Sequence, residues 1–239
     1  VSHIHLNDAC YAVYAFWKSI LSKPDEFCRR VSGASLTIKE WRRQQDIIKR
    51  QSEFDMLDVG FSMFYLNRCN RSGIISGGVI GGLAQTGNWK IDARFSRNDL
   101  IRRIEAIALN KSKITVTHAD AEDFIIKHLP KLPQTSLVYC DPPYFHKADR
   151  LYLNHYSEKD HDRIAQVIQT KLALPWLVSY DKTPEILGFY KKQRTVTYSL
   201  QYNAAKAYLG TEVFFFSPEL IVPAMSSIPS ISEALKRVS

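Results

Sequence analysis

The feature of the sequence that most constrains the fold is an alternation of short apolar strand-like segments with amphipathic helical segments. The predicted strands are rich in β-branched and apolar residues and lie at Ile4–Leu6, Ile114–Thr117, Ser136–Cys140, Trp176–Tyr180, Thr195–Leu200 and Glu212–Phe216. Helical patterns separate most of them, at Tyr11–Leu21, Leu100–Leu109 behind Asn98, Ala121–Leu129 behind Asp120, and after Ser157. Since parallel strands need long crossovers, this order predicts an α/β protein whose last two strands form an antiparallel pair near Gly210.

A segment between Leu36 and Arg103 interrupts this alternation and is interpreted as an insert. It contains a basic helical run at Ile38–Gln51 behind Thr37 and a second helical run through Phe61–Leu66. Six of the ten glycines then fall within fifteen residues, 73–87, which favours a glycine-rich turn or hairpin. The predicted division is a core at 1–35 and 104–216, an insert at 36–103 and a flexible tail at 217–239, with a short final helix at Glu233–Arg237.

The net charge of +8 favours a polyanionic partner, with nucleic acid as the first candidate. The segment 36–103 holds twelve lysines and arginines against seven acidic residues, and therefore carries five of the eight net charges. The four cysteines are widely spaced, which argues against structural zinc and a disulfide framework. No apolar run approaches the ~20 residues of a membrane-spanning helix, and no signal-peptide pattern is visible, so an intracellular location is predicted.

The sharpest chemical feature is Asp141-Pro142-Pro143-Tyr144, directly after the apolar strand Leu137–Cys140. Open α/β sheets bind their ligands at the carboxyl ends of strands, where this motif lies. The carboxylate can accept hydrogen bonds from an amino group, the prolines fix a turn with an outward carbonyl, and the tyrosine offers a flat ring. The motif predicts a pocket for a planar, amino-bearing heterocycle. The alternative is a turn in which Asp and Pro serve only as turn formers.

This tetrapeptide resembles the signature of the amino-directed, S-adenosylmethionine-dependent DNA methyltransferases, and the flanking sequence resembles the Dam class of DNA adenine methyltransferases. The other stretches that carry the resemblance are His5-Leu6-Asn7-Asp8, Phe64–Arg68 with Asn70–Gly73, Tyr156 and His161, Ser179–Asp181, and Gly210–Glu212. Related signatures also occur in enzymes that methylate cytosine N4 or protein glutamine. The resemblance implies a Rossmann-like methyltransferase fold with a mixed sheet and a mainly helical DNA-recognition insert.

The resemblance also implies a site-specific N6-adenine methyltransferase acting on double-stranded DNA, with S-adenosylmethionine as methyl donor and no metal. Asp141, Pro142, Pro143 and Tyr144 are the implied catalytic residues. Asp141 and the Pro142 carbonyl would accept the two N–H bonds of a flipped-out adenine, on which Tyr144 would stack.

The cofactor-binding residues that the resemblance implies are Asp8, Asp120 and Asp141. Asp8 would bind the ribose hydroxyls, and Asp120 would lie near the cofactor adenine. A structural alternative exists for two of them, since Asp8 and Asp120 each precede a predicted helix and suit a capping role.

Four residues of the insert, Asn67, Arg68, Asn70 and Arg71, look like DNA contacts, because amides can pair with adenine edges and guanidiniums with guanine or phosphate. Lys39, Arg42 and Arg43 on the basic helical run are expected to attract phosphates without sequence preference. The alternative for each of these residues is a solvated surface position. Trp41 and Trp89 are interpreted as packing residues.

One element of the Dam-class pattern is not found. These enzymes have a glycine-rich F-x-G-x-G turn after a first strand, and that strand lies between the strands that correspond here to Ile4–Leu6 and Leu137–Cys140. Without it, two interior strands would each lose a neighbour. Three explanations stay open. The sequence is truncated at its front, which the initial Val1 fits, as it also fits an alternative start codon; or a second polypeptide supplies the strand and loop; or a residual element folds without a competent cofactor site, which would make the protein a noncatalytic DNA-binding remnant.

Overall fold

The computed structural model of the protein describes residues 1–145, 156–203 and 207–221. Within these ranges the helices are α1 (Tyr11–Ser22), α2 (Pro24–Ser32), α3 (Ile38–Lys49), α4 (Met56–Cys69), α5 (Arg97–Ala108), α6 (Ala121–Lys127), α7 (Glu158–Lys171) and α8 (Pro184–Phe189). The strands are β1 (Ile4–Asn7), β2 (Ile114–Thr117), β3 (Val138–Cys140), β4 (Trp176–Asp181), β5 (Arg194–Asn203) and β6 (Ala207–Phe216). All six predicted strands are confirmed. The predicted helix at Glu233–Arg237 lies outside the described residues.

The strands form two sheets. β1 and β2 pair in parallel, with Ile4 opposite Ile114. The second sheet has the order β3-β4-β6-β5, in which β3 and β4 are parallel and β6 is antiparallel to both of its neighbours. The predicted α/β class and the antiparallel final pair are therefore confirmed. Among the described residues β1 pairs only with β2, and β3 pairs only with β4.

Three predicted helix starts are fixed by side chains that accept hydrogen bonds from backbone N–H groups otherwise left unpaired. Thr37 caps α3 through the N–H of Glu40 at 3.2 Å. Asp120 caps α6 in the same way, and Ser157 forms a reciprocal capping box with Asp160 at the start of α7. The prediction that Asn98 caps α5 is wrong, because the helix already begins at Arg97 and Asn98 lies in its first turn.

The first hydrophobic core is formed by all five helices from α1 through α5 and by the segment between α4 and α5. It is rich in aromatic rings, including Phe27, Phe64 and Phe95. The helices α1 and α4 approach closely at Gly60, where an added Cβ would lie 2.6 Å from the carbonyl oxygen of Ala15. Glycine is therefore required at this crossing. Helices of the predicted insert thus share one core with α1 and α2, which belong to the predicted segment 1–35.

The second core lies between the four-stranded sheet and the helices α6, α7 and α8. Val178 and Tyr180 of β4 are fully buried in it, and the ring of Tyr190 stacks on Phe215 of β6 at 4.4 Å. This packing holds β3 and β4 side by side and so fixes the strand ends where the candidate site lies.

The glycine-rich segment between α4 and α5 consists of turns with one antiparallel bridge between Asn70 and Val79. Positive φ angles occur at Gly73, Gly81 and Gly82, where glycine adopts them without steric cost, and also at Ser72 and Gln85. Trp41 packs in the interior as predicted. The prediction for Trp89 is wrong, since 74% of its surface is exposed on this segment.

Candidate active site

A cleft of about 870 Å³ lies between the two sheets and runs along β1 and β3 to their carboxyl ends. Asn7 and Asp8 line it from the β1 side, and Asp141 and Pro142 line it from the β3 side. Apolar side chains of α6 and α7, among them Ile125 and Ile164, contribute the remainder of the wall. The structure therefore brings two of the predicted cofactor residues, Asp8 and Asp141, to one cavity.

The Asp141 carboxylate is held by a side chain of the neighbouring strand. Ser179 of β4 donates a hydrogen bond from Oγ to Asp141 Oδ1 at 2.7 Å, and the hydroxyl of Tyr139 lies 2.9 Å from the same Oγ. Burial raises the pKa of Asp141, the hydrogen bond from Ser179 lowers it, and the negative charge of Glu212 raises it. Because burial is the largest of these effects, the pKa of Asp141 is raised above its ordinary value.

The Tyr144 ring is anchored through its hydroxyl, which donates to Glu212 Oε1 at 2.9 Å. Glu212 on β6 is buried and also accepts from the hydroxyl of Tyr198 on β5 through Oε2. The turn that follows is fixed by the backbone N–H of Phe145, which donates to Asp181 Oδ1 at 2.9 Å. Side chains of three strands thus support the Asp-Pro-Pro-Tyr turn.

Ser179 and Glu212 are residues whose roles the sequence reasoning missed, although both lie in stretches that carried the resemblance. Their register explains their positions. Cys140 of β3 is opposite Val178 of β4, so Ser179 lies beside Asp141, and Ser179 is opposite Phe214 on the next strand. The available signal was a polar residue inside a strand whose neighbouring residues are mainly apolar.

Asp8 combines a structural contact with exposure to the cleft. Its Oδ1 accepts a hydrogen bond from the N–H of Cys10 at 2.7 Å, immediately before α1 begins. Burial raises the pKa of its carboxyl group. Beside it, Asn7 donates to the carbonyl of Ala119 at 3.0 Å, while Asn7 Oδ1 is buried and has no hydrogen-bond partner among the described residues.

Asp120 does not share this cleft. Its side chain caps α6 by accepting from the N–H of Glu122 at 2.9 Å and is exposed. It lines a small adjoining pocket with Tyr156 and Arg163, and Tyr156 also lines the cleft. The structure therefore shows the capping role of Asp120, and its role near the cofactor adenine stays a prediction.

Two of the four predicted DNA contacts at the end of α4 are engaged inside the protein. Asn70 is fully buried, accepts from the indole N–H of Trp41 at 2.7 Å, and donates to the carbonyls of Ile74 and Ile75. The predicted DNA contact of Asn70 is corrected to a structural role, because its donors and acceptor are all used internally. Asn67 donates to the carbonyl of Gly73 at 3.0 Å.

The cationic residues of the predicted DNA surface are more accessible. Arg71 is exposed, as are Lys39, Arg42 and Arg43 on α3. Arg43 contacts Glu40 at 3.2 Å. Arg68 is half-buried, and its pKa is lowered by burial and then by the guanidinium groups of Arg94 and Arg103, which gather positive charge at the end of α4.

The α/β fold and an Asp-Pro-Pro-Tyr turn at the rim of a cleft together define a methyltransferase that acts on an amino group. The chain belongs to the D12 class N6 adenine-specific DNA methyltransferase family, whose model matches residues 1–204. No curated protein matches the sequence. Across residues 1–145, 156–203 and 207–221, no helix is long and apolar enough to cross a membrane. The same residues contain no group of three or more side chains suited to hold a metal ion.

Proposed function

We propose that this protein methylates the N6 amine of adenine at specific sites in double-stranded DNA, with S-adenosylmethionine as the methyl donor. The observation that carries the proposal is the Asp141–Tyr144 turn at the carboxyl end of β3, on the rim of a cleft that it shares with Asp8. Family membership supports DNA adenine methylation. The donor, the site specificity and the residue roles are our inference.

The cleft suits the nucleoside part of such a donor. The donor would bind at the end of the cleft beside Asp8 and Asp141, and the rest of the cleft runs along the unpaired edges of β1 and β3. Asp8 uses one carboxylate oxygen for Cys10, which leaves the other for ribose hydroxyls, and the unpartnered Asn7 Oδ1 offers a second acceptor nearby. When bound, the donor supplies an electrophilic methyl group on a sulfonium.

The residues of the turn would prepare the adenine amine, whose lone pair is delocalised into the ring. Asp141 and the carbonyl of Pro142 would each accept one of its N–H bonds, which favours a pyramidal nitrogen with a directed lone pair. Pro143 holds the turn rigid because its ring fixes φ. Tyr144 would stack on the base after it leaves the duplex, with its ring held by Glu212.

The segment 36–103 is proposed to recognise the DNA target. Arg71 and the exposed cations of α3 would contact phosphates, which gives affinity and salt dependence rather than sequence preference. Arg68, beside Arg94 and Arg103, would contact the duplex from the end of α4. Asn67 and Asn70 would contribute indirectly by shaping the segment that follows α4.

We also propose that an additional extended segment, from the same polypeptide or from a second chain, pairs between β1 and β3 in the active form. In the described residues each of these strands has one unpaired edge facing the cleft. Apolar side chains are exposed there, with Leu137 at 56% and Tyr139 at 58%. Such edges are unfavourable, because their backbone N–H and C=O groups lack strand partners and can pair with another chain.

Labelling with tritiated S-adenosylmethionine tests the function. The chain is incubated with mixed-sequence duplex DNA, alone and with a peptide carrying the first strand and glycine-rich turn of a Dam-class enzyme. We expect label at N6 of adenine, most strongly with the peptide, and its loss in Asp141→Ala. DNA binding without label in either sample, and without any effect of the cofactor or of Asp141→Ala on binding, would instead indicate a noncatalytic DNA-binding protein.

A further inference from the structure

We infer that Ser179 is a positioning residue that commits one oxygen of the Asp141 carboxylate to the protein and so presents the other to the substrate amine. The inference rests on the proposed function, because it assigns a role to Ser179 within the same site. It rests on two linked hydrogen bonds, one between Tyr139 of β3 and Ser179 of β4, and one from Ser179 to Asp141, which follows β3.

The direction of these two hydrogen bonds follows from the number of hydrogens. Ser179 has a single hydroxyl hydrogen, which it donates to Asp141 Oδ1 at 2.7 Å. The oxygen of Ser179 must therefore act as acceptor toward Tyr139, whose hydroxyl lies 2.9 Å away. Tyr139 fixes the orientation of Ser179, and Ser179 fixes the orientation of Asp141.

The placement of Ser179 makes this contact specific. Its side chain is only 4% exposed, and it follows Val178, which is paired with Cys140, the residue before Asp141. A buried hydroxyl on a paired strand can reach few other hydrogen-bond partners, because the strand fixes its position and water is excluded. Among the described residues, Ser179 is the single donor to Asp141, and Oδ2 accepts no hydrogen bond from any of them.

The consequence for chemistry is a carboxylate with two distinct oxygens. Oδ1 is held by Ser179, and Oδ2 is directed to accept an N–H bond. A charge-assisted hydrogen bond of this kind also stabilises the ionised form, which must persist for Asp141 to act as an acceptor. Without the hydroxyl, Asp141 would be free to rotate and would take up a proton at higher pH.

The groups around Asp141 predict how its pKa responds when the Ser179 hydroxyl is removed. The groups that face Asp141 are Glu212 on β6, Tyr139 and Cys140 on β3, and Ser179 on β4. Burial and Glu212 both raise the pKa of Asp141, and Ser179 opposes them. Removal of the Ser179 hydroxyl therefore raises this pKa further.

The test compares Ser179→Ala, Ser179→Thr and Tyr139→Phe with the control Ser217→Ala. Ser217 is also buried, at 1% exposure, but its Oγ accepts from the backbone N–H of Trp176, away from Asp141. Single-turnover methyl transfer is measured against pH in the assay that labels wild-type DNA, together with the Kd for duplex DNA. The pKa of Asp141 is measured separately in each variant by ¹³C NMR of its carboxyl carbon.

We expect Ser179→Ala to slow methyl transfer about 10- to 100-fold, as loss of a hydrogen bond to a charged group would. The Kd for DNA should stay within about twofold, since DNA affinity comes mainly from phosphate contacts elsewhere. The acid limb of the rate profile and the pKa of Asp141 should both move to higher pH. Ser179→Thr, which keeps the hydroxyl, should restore most of the rate, and Tyr139→Phe should have a smaller effect of the same kind.

An unchanged rate and pH profile in Ser179→Ala would overturn the inference. So would a loss of rate matched by Ser217→Ala without movement of the pH profile, because that result indicates a purely structural role. The NMR titration separates this inference from the proposed function: if the wild type transfers no methyl group, a raised pKa of Asp141 in Ser179→Ala still supports the positioning contact, and an unchanged pKa overturns it.

Discussion

The hydroxyl of Tyr144 donates a 2.9 Å hydrogen bond to Oε1 of Glu212, which lies 68 residues later in the chain. Glu212 is only 7% exposed and holds Tyr198 through its second oxygen. The ring proposed to stack on the flipped adenine is therefore held by the closing strand pair, not by its own loop alone. Pre-organised stacking groups of this kind reduce the entropy lost when the base enters the site.

Replacement of Glu212 by alanine should loosen the Tyr144 ring and slow methyl transfer by about 10-fold, since a buried acceptor for two hydroxyls is lost. Tyr144→Phe keeps the ring and loses only the anchor, so a smaller decrease is expected. The fluorescence of DNA with 2-aminopurine at the target base measures stacking directly. Equal fluorescence in wild type and Glu212→Ala would contradict the anchoring role.

Gly60→Ala should reduce the free energy of unfolding by about 1–3 kcal/mol, as overpacking does in a tight core. The added methyl group would lie 2.6 Å from the carbonyl oxygen of Ala15. Gly188→Ala is the matched control, because Gly188 is also helical and a Cβ there meets no atom within 4 Å. That variant should be stabilised by up to about 1 kcal/mol through helix propensity. Urea denaturation measures both, and equal stability of the two variants would refute the close-crossing explanation.

Asn70→Ala should lower the free energy of unfolding by about 2–4 kcal/mol, because the Trp41 indole and two backbone carbonyls lose their buried partner. Arg71→Ala, one residue further along, should change stability by less than about 0.5 kcal/mol. It should instead reduce the slope of log Kd against log salt concentration by about 1. If Asn70→Ala left stability unchanged and altered only DNA affinity, the structural role of Asn70 would be wrong.

Stability should fall as the pH is lowered from 7 to 5, in part because of His161. Burial lowers the pKa of His161 below its ordinary value of 6.5, with the carboxylates of Asp181 and Asp160 acting in the opposite direction. The unfolded chain thus takes up a proton at higher pH than the folded one, so this contribution is complete above 6.5 and is lost as the pH falls toward the folded pKa. His161→Phe should flatten the dependence in urea titrations at several pH values.

Tyr180→Phe serves as the control for the pH prediction. It removes the hydroxyl that lies 3.0 Å from His161 Nδ1 but leaves the imidazole buried. Since burial is the main cause of the lowered pKa, this variant should keep the wild-type slope even if it is less stable. A slope that vanished in Tyr180→Phe as well would assign the effect to the hydrogen bond.

The strands could be predicted from sequence because each contains a run rich in β-branched and apolar residues, and Thr37, Asp120 and Ser157 marked helix starts through local capping chemistry. The helices α2 and α8 were not predicted. Each begins with a proline, Pro24 or Pro184, which suits the first helical turn because its missing N–H has no partner there in any case. Capping residues and helix-starting prolines are local signals, so the sequence alone contains what is needed to place these helix starts.

The support of the candidate site could not be predicted, because it depends on strand register. Ser179 reaches Asp141, and Glu212 reaches Tyr144, only after β4 and β6 have paired in a particular order. Which side chains are buried in the predicted DNA-contact segment could not be predicted either. Asn70 and Arg71 are adjacent polar residues, yet only Asn70 is buried, where it accepts a hydrogen bond from Trp41, 29 residues away in the chain.

The close crossing at Gly60 has a mechanical consequence. Helix α1 begins three residues after Asp8, and α4, which it contacts at Gly60, ends beside Arg68. Because the two backbones touch with no side chain between them, α1 and α4 have little room to shift against each other. The crossing at Gly60 therefore fixes the distance between the predicted cofactor residue Asp8, before α1, and the predicted DNA contact Arg68, near the end of α4.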